Sequence, residues 1–237
     1  MLRSAAFRPV RAGNAFEETI ERILQVIKLG LLGYGDRLPS ERDLAGRLNV
    51  SRDTLREALR SLQRTGYVES RRGRYGGTFV TYRQPAPRPG ALRKAVEGFG
   101  SDDLEDALTY RLALETGAAE AAARRTLSDS QRADLRRHLT ELEAAPPDRY
   151  RQLDTRFHLA IAELTGSPSL AASTTEARMR LNDLLNAIPV LERNIAHSAL
   201  QHRAMVEAVL AGDAEAARRA TEEHLEATAA LLRGFLG

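Results

Sequence analysis

The sequence predicts a mainly α-helical chain in two parts: an N-terminal winged helix-turn-helix, three helices plus a β-hairpin wing, followed by an all-α helical bundle. Three observations predict it. Residues 38–80 read as short helix, tight turn, basic second helix and glycine-punctuated hairpin. Residues 84–90, Gln-Pro-Ala-Pro-Arg-Pro-Gly, read as a linker whose alternating prolines favour extended backbone and remove amide donors. From residue 101 onward apolar residues recur at helical spacing, and no strand pattern competes. The expected parts are a flexible basic arm over 1–15, the winged domain over 16–82, the Pro-rich linker over 83–100 and the bundle over 101–237.

The arm carries Arg3, Arg8 and Arg11 without an acid, and Pro9 and Gly13 deny it the amphipathic helix of a transit peptide. A helix from Phe16 to Leu31 follows, apolar at Ile20, Ile23, Leu24 and Ile27. Ser40 is placed to cap the next helix, Glu41 and Asp43 suit its positive end, and Leu44, Ala45 and Leu48 supply a buried stripe. Asn49 breaks it, Val50 plugs the turn and Ser51 caps a second helix. There Leu55, Ala58, Leu59 and Leu62 face inward, leaving Arg52, Asp53, Arg56, Arg60 and Gln63 outside. Two helices joined so tightly, the second basic at its start, match the geometry that inserts a recognition helix into the major groove. Gly66 ends that helix. Tyr67–Ser70 and Gly77–Val80 read as strands around Arg71, Arg72, Gly73, Arg74, Tyr75 and Gly76, a basic wing.

Beyond the linker, helices are expected near 92–98, 101–125, 128–144, 147–165, 168–187, 191–211 and 213–235. Their stops are legible at Pro146-Pro147, Gly166-Ser167-Pro168 and Gly212-Asp213. Charge divides along the same line. Residues 1–90 hold 17 basic against 9 acidic side chains, net +8, and residues 91–237 hold 18 against 23, net −5. The basic front third suits phosphate, and the acidic remainder should point away from DNA. All basic residues except Lys28 and Lys94 are arginine, which fits bidentate phosphate and guanine contacts and equally a GC-rich genome. The absence of cysteine excludes disulfides and thiolate metal sites, and no apolar run approaches membrane-spanning length.

Within the bundle, Asp154 and His158 stand i, i+4 on one helix, in register with Ile161. His202 aligns with Ile195, Ala199, Val206 and Val209, and His224 with Ala217, Ala220 and Leu231. Three inward histidines and an aspartate point to a metal site, the alternative being hydrogen-bonded core residues. His197 precedes His202 by five residues and leaves the apolar face, and His138 has no partner in this spacing, so both are expected outside the metal shell, His138 as a solvated histidine.

Pro39-Ser40-Glu41-Arg42, Val50-Ser51-Arg52, Leu55-Arg56-Glu57-Ala58-Leu59 and the wing ending Gly77-Thr78-Phe79-Val80 resemble the GntR family of bacterial transcription regulators. The resemblance makes the helix over 16–31 a scaffold helix and implies DNA contacts by Arg42, Ser51, Arg52, Thr54, Arg56, Arg72 and Gly73. Asp53 departs from the small polar or basic residue expected there, and either accepts from a cytosine amino group or caps the helix. Phe157-His158-Leu159-Ala160-Ile161-Ala162, Gln201-His202-Arg203-Ala204-Met205-Val206 and Ala211-Gly212-Asp213 resemble the FCD effector domain of the FadR-type branch, in its shorter VanR-like form. That resemblance implies a divalent metal on Asp154, His158, His202 and His224, for which Zn, Ni and Mn all suit the ligand set. It also implies that open metal positions take a small organic or sugar acid. Arg111 would clamp the acid's far end or else pair with Glu115 four residues on, and Arg178 and Asn182 are further pocket candidates.

The combined expectation is a cytoplasmic, homodimeric, ligand-responsive regulator, repressing in sign, on a pseudo-palindromic double-stranded operator. Two other readings stay open: a metal-dependent enzyme using the Asp/His site, and a constitutive DNA binder with a structural metal.

Overall fold

The structure, a computed structural model, describes residues 15–73, 75–83, 95, 101–188 and 192–236. The expected arm over 1–14, wing residue Arg74, the Pro-rich segment and all but Ala95 of the short helix near 92–98 lie outside the described residues. The chain divides into two compact units, Met1–Pro85 and Ala86–Gly237.

The first unit contains α1 (Ala15–Lys28), α2 (Glu41–Leu48), α3 (Arg52–Arg64), β1 (Val68–Arg71) and β2 (Gly77–Val80). Local chemistry sets each boundary. Ser40 Oγ accepts from the Asp43 amide at 3.2 Å, and Ser51 Oγ accepts from the Thr54 amide at 3.0 Å. Between them Asn49 turns the chain in the left-handed region, φ 54°, a conformation asparagine tolerates better than most side chains. α1 and α2 both pack on α3, burying Leu44, Leu48, Leu55 and Leu62 completely or nearly so. The buried face of α1 runs through Thr19, Ile23, Val26 and Ile27, whereas Ile20 and Leu24 are half-buried. The hairpin pairs antiparallel from Val68↔Val80 to Arg71↔Gly77, and an Arg37↔Phe79 bridge ties it to the segment before α2. Gly76 is required at the turn, since a Cβ there would collide with the Arg71 carbonyl.

The second unit contains α4 (Ser101–Ala123), α5 (Asp129–Glu143), α6 (Tyr150–Leu164), α7 (Pro168–Ala187), α8 (Glu192–Ala211) and α9 (Ala214–Leu236). Ser128 and Gln131 form a capping box on α5, Ser167 caps α7 with Pro168 at its first position, and Asp213 caps α9 through the Ala216 amide at 2.9 Å. α6 starts at Tyr150, three residues later than expected, because 147–149 form a turn.

α4 is the hub, packing on α6, α7, α8 and α9. Its run of small buried residues, Ala118, Ala119, Ala122 and Ala123, lets neighbouring helices approach closely. Its inward face reads in three tiers. Leu104, Ala107 and Leu108 join an apolar cluster with Leu181, Leu184 and Leu232. One turn on come Arg111 and Glu115, both buried. Ala119, Ala122 and Ala123 then join a second cluster with Phe157, Ile161, Met205 and Val206. A polar tier therefore lies between two apolar ones, and every helix except α5 contributes to it.

Candidate metal centre and nucleic-acid interface

Four polar side chains meet in that tier. The ligand atoms of Asp154 and His158 on α6, His202 on α8 and His224 on α9 all lie within 4.8 Å of one another. His158 Nε2 stands 3.7 Å and His202 Nε2 3.4 Å from Asp154 Oδ1, and His202 Nε2 is 3.3 Å from His224 Nε2. Two donors on one ion at about 2.0–2.2 Å stand roughly 2.8–3.6 Å apart. Two of the three separations fall in that range and the third lies just beyond it.

The tautomers follow from the outer partners. His158 Nδ1 lies 2.6 Å from Glu115 Oε2 and donates to it, so the lone pair is left on Nε2. That Nε2 is buried and has no hydrogen-bond partner among the described residues. His224 Nδ1 likewise faces Gln201 Oε1 at 3.2 Å, turning its own Nε2 toward the centre. A hydrogen-bonded core accounts for the His202–His224 contact but leaves the His158 lone pair stranded, a costly arrangement in a buried site. A divalent cation accommodates all four, and the residues present fit one.

Glu115 was visible in the sequence only as a possible partner of Arg111, yet it organises the site. Arg111 Nε donates to Oε1 at 2.7 Å, and Arg178 donates to both carboxylate oxygens at 2.9 Å. Arg178 also donates to Asp154 Oδ2 at 2.5 Å, linking the outer carboxylate to the ligand. Burial works against both charged carboxylates and is outweighed. Arg178 and Arg111, together with the hydrogen bond from His158, hold the Glu115 pKa well below the usual range, and Arg178 does the same for Asp154. Burial, reinforced by Arg178, pushes His158 down to about 4; burial, with His202 and His158 nearby, also depresses His224 strongly. These imidazoles stay neutral, the form a metal ligand needs.

A cavity of about 40 Å³ opens beside Asp154 and His224, with Arg111, Tyr150, Arg151 and Asn194 among its polar walls and Leu185, Ile195 and Leu231 among its apolar ones. Arg111 pairs with Glu115 and also lines the cavity. Arg178 and Asn182 line none of it. Arg178 is consumed by Glu115 and Asp154, and Asn182 donates to Asp183 at 3.2 Å. Arg151 and Tyr150 take their place; no spacing rule singles them out, since they sit near the start of α6 where the apolar stripe has barely begun. His197 is exposed. His138 is not solvated as expected: its side chain is only 10% exposed, and burial lowers its pKa.

In the first unit, Arg42 and Arg52 line one cleft of about 410 Å³ together with Arg37, Arg71, Ser40 and Gly77. Arg37 and Arg71 were not among the expected DNA contacts. Arg71 lies over the Phe79 ring at 4.5 Å and pairs with Glu69. Ser51 Oγ and Thr54 Oγ1 are bonded to each other at 2.8 Å. Arg56 is held by Glu41 at 2.8 Å. Asp53 does not cap α3, because Ser51 does; its side chain is 95% exposed, 3.8 Å from Arg56. Arg72 and Gly73 lie exposed beyond β1, with Gly73 at φ 100°.

Residues 16–80 match the profile described as "Bacterial regulatory proteins, gntR family", and residues 106–227 match "FCD domain". The chain is 33% identical to an Escherichia coli K12 protein described as "Putative L-lactate dehydrogenase operon regulatory protein", over 92% of this chain and 86% of that one. It is 28% identical to the Escherichia coli "HTH-type transcriptional repressor NanR", over 98% and 90%. Among solved structures, Escherichia coli McbR/YncC superposes with a TM-score of 0.56 at 21% identity, covering 94% of this chain and 99% of that one, a likeness of fold. Among the described residues no helix is long and apolar enough to cross a membrane.

Proposed function

The chain belongs to the GntR family of bacterial regulatory proteins and carries an FCD domain, and from that premise we propose that it is a metal-dependent sensor of a small organic acid that represses transcription as a homodimer. It is a DNA-binding transcription regulator, and its relatives are named as regulators, not enzymes. The enzyme reading is set aside accordingly.

One observation carries the sensing part. The buried Nε2 of His158, without a hydrogen-bond partner among the described residues, faces the donors of Asp154, His202 and His224 beside a cavity that also holds Arg111. A divalent ion, Zn, Ni or Mn by ligand type, would supply Lewis acidity for a carboxylate. The protein's own part is to orient the imidazoles through Glu115 and Gln201, to hold Asp154 ionised, and to present Arg111 at the cavity wall. The relative named for an L-lactate dehydrogenase operon favours a small organic acid over a sugar acid, and the relative named as a repressor agrees with the sign.

For DNA, the reading places Arg52 and Arg42 at phosphate or guanine, with Arg72 and Gly73 contributing from the wing and Ser51, Thr54, Arg56 and Asp53 flanking. Two winged units related by a two-fold axis would read a pseudo-palindromic operator in the cytoplasm, where the chromosome lies. Elemental analysis of the purified protein, followed by operator binding with and without small carboxylates and chelator, tests the whole. One bound ion per chain and acid-dependent, chelator-sensitive release are expected. Binding that no acid alters would leave a constitutive DNA binder.

A further inference from the structure

We propose that Arg151 is a second anchor in this cavity, and that the effector is a compact dicarboxylate of three or four carbons, bound at one end near the ion and at the other by Arg151. The inference rests on reading the cavity as an acid-binding site.

Three features point to it. Arg151 lines the cavity, and its Nε is buried with no hydrogen-bond partner among the described residues. A guanidinium donor left unmade in a buried position is costly, and Arg cannot escape by losing its proton. The neighbouring carboxylates are already engaged: Arg178 donates to both Glu115 and Asp154, and Arg111 donates to Glu115. Two arginines thus meet two carboxylates, and Arg151 is the positive charge left over. A divalent ion would add further positive charge. A monocarboxylate taken up by the ion and Arg111 leaves Arg151 as it was, whereas a second carboxylate satisfies it.

The placement of Arg151 on α6 suits a short diacid. Arg151 precedes Asp154 by three residues on α6, so the two side chains share a helix face about 4.5 Å apart along the axis. Tyr150 is buried beside Arg151 and bonded to Ser198, which fixes that end of the cavity. Leu185, Ile195 and Leu231 offer an apolar wall for the intervening carbons.

The test is calorimetric titration of the full-length, zinc-loaded protein with L-lactate, succinate and L-malate. Wild type should bind the two diacids about ten- to a hundredfold more tightly than lactate, the range of one charge-assisted hydrogen-bonded contact. Arg151→Gln should weaken succinate and L-malate by that factor and so abolish their preference over lactate, with zinc content unchanged. Arg151→Lys, which keeps the charge and loses the planar fork, should restore part of it and serves if the glutamine variant folds poorly. Lactate binding as tightly as the diacids in wild type, or Arg151→Gln weakening all three acids alike, overturns the assignment of Arg151. If zinc binds but no acid does, the acid-sensing reading fails, and this inference with it.

Discussion

The arginines on the DNA-reading face of the winged unit and the two in the bundle's polar tier sit in opposite surroundings. Arg42, Arg52 and Arg72 are exposed, and where an ion pair forms, as between Arg56 and Glu41, both side chains remain about two-fifths exposed at 42% and 39%. Arg111 and Arg178 are 3% exposed and locked to carboxylates that are themselves buried. Surface pairs of the first kind contribute about 0–1 kcal/mol, while breaking a buried pair strands its partner and costs about 3–5 kcal/mol. The first set is therefore free to exchange water for phosphate. The second holds a site in shape, and moving any member disturbs the rest.

Glu115→Ala should break the contrast most severely. It leaves Arg111 and Arg178 buried without their shared carboxylate and His158 Nδ1 without an acceptor, so denaturant unfolding should show a loss of about 3–5 kcal/mol. Bound metal should fall with it, because the His158 ring loses the partner that orients it. A stability change below about 1 kcal/mol would mean that water replaces the carboxylate and that this tier is not dry.

Removing the ion comes next. A His158→Ala, His224→Ala double variant should lose metal by elemental analysis and lose ligand-dependent DNA release, while His197→Ala keeps both. Acid should act in the same direction. The folded-state pKa of His158 is depressed to about 4 from 6.5, so between those values the unfolded chain binds a proton that the folded chain does not. Its contribution is thus present above pH 6.5 and is lost as pH falls toward 4. Metal affinity should decline over the lower part of that range, below the value near 6.5 that a free imidazole would set. A melting temperature independent of pH throughout would contradict this.

Arg52→Ala should cost about 1–3 kcal/mol at the operator if the guanidinium makes a bidentate base contact, with no change in unfolding. An anisotropy titration decides it. Equal affinity for variant and wild type removes Arg52 from the interface.

Much of this contrast was legible in the sequence, and what was not has a physical reason. Ser40, Asn49 and Ser51 announce their turns because capping is local chemistry, and the four metal-ligand candidates share apolar stripes that place them inward. Glu115 could be suspected only as the i, i+4 mate of Arg111. Its contacts with His158 and Arg178 join three helices, and no single helix's period encodes them. Arg178 misled for the same reason: its spacing shows that it points inward, but not that two carboxylates already occupy it. Arg37 and Arg71 meet Arg42 and Arg52 only after the hairpin folds back, so their shared cleft has no signature along the chain.

The smallest effect concerns Arg56, where the two kinds of arginine come closest in behaviour. Its pair with Glu41 bridges the two helices of the DNA-reading motif, yet its exposure predicts that Arg56→Ala lowers stability by less than about 1 kcal/mol. The informative variant is Glu41→Gln. If Glu41 merely holds Arg56 in the absence of DNA, releasing it frees the guanidinium for phosphate, and operator affinity should rise slightly with a steeper salt dependence. If Glu41 instead aims Arg56 at the groove, Glu41→Gln should weaken operator binding as Arg56→Ala does, and the two changes should not add in the double variant. The exposed pair predicts the first outcome. The second would make Arg56 a positioned arginine like Arg111, and the division between the two units would no longer follow burial.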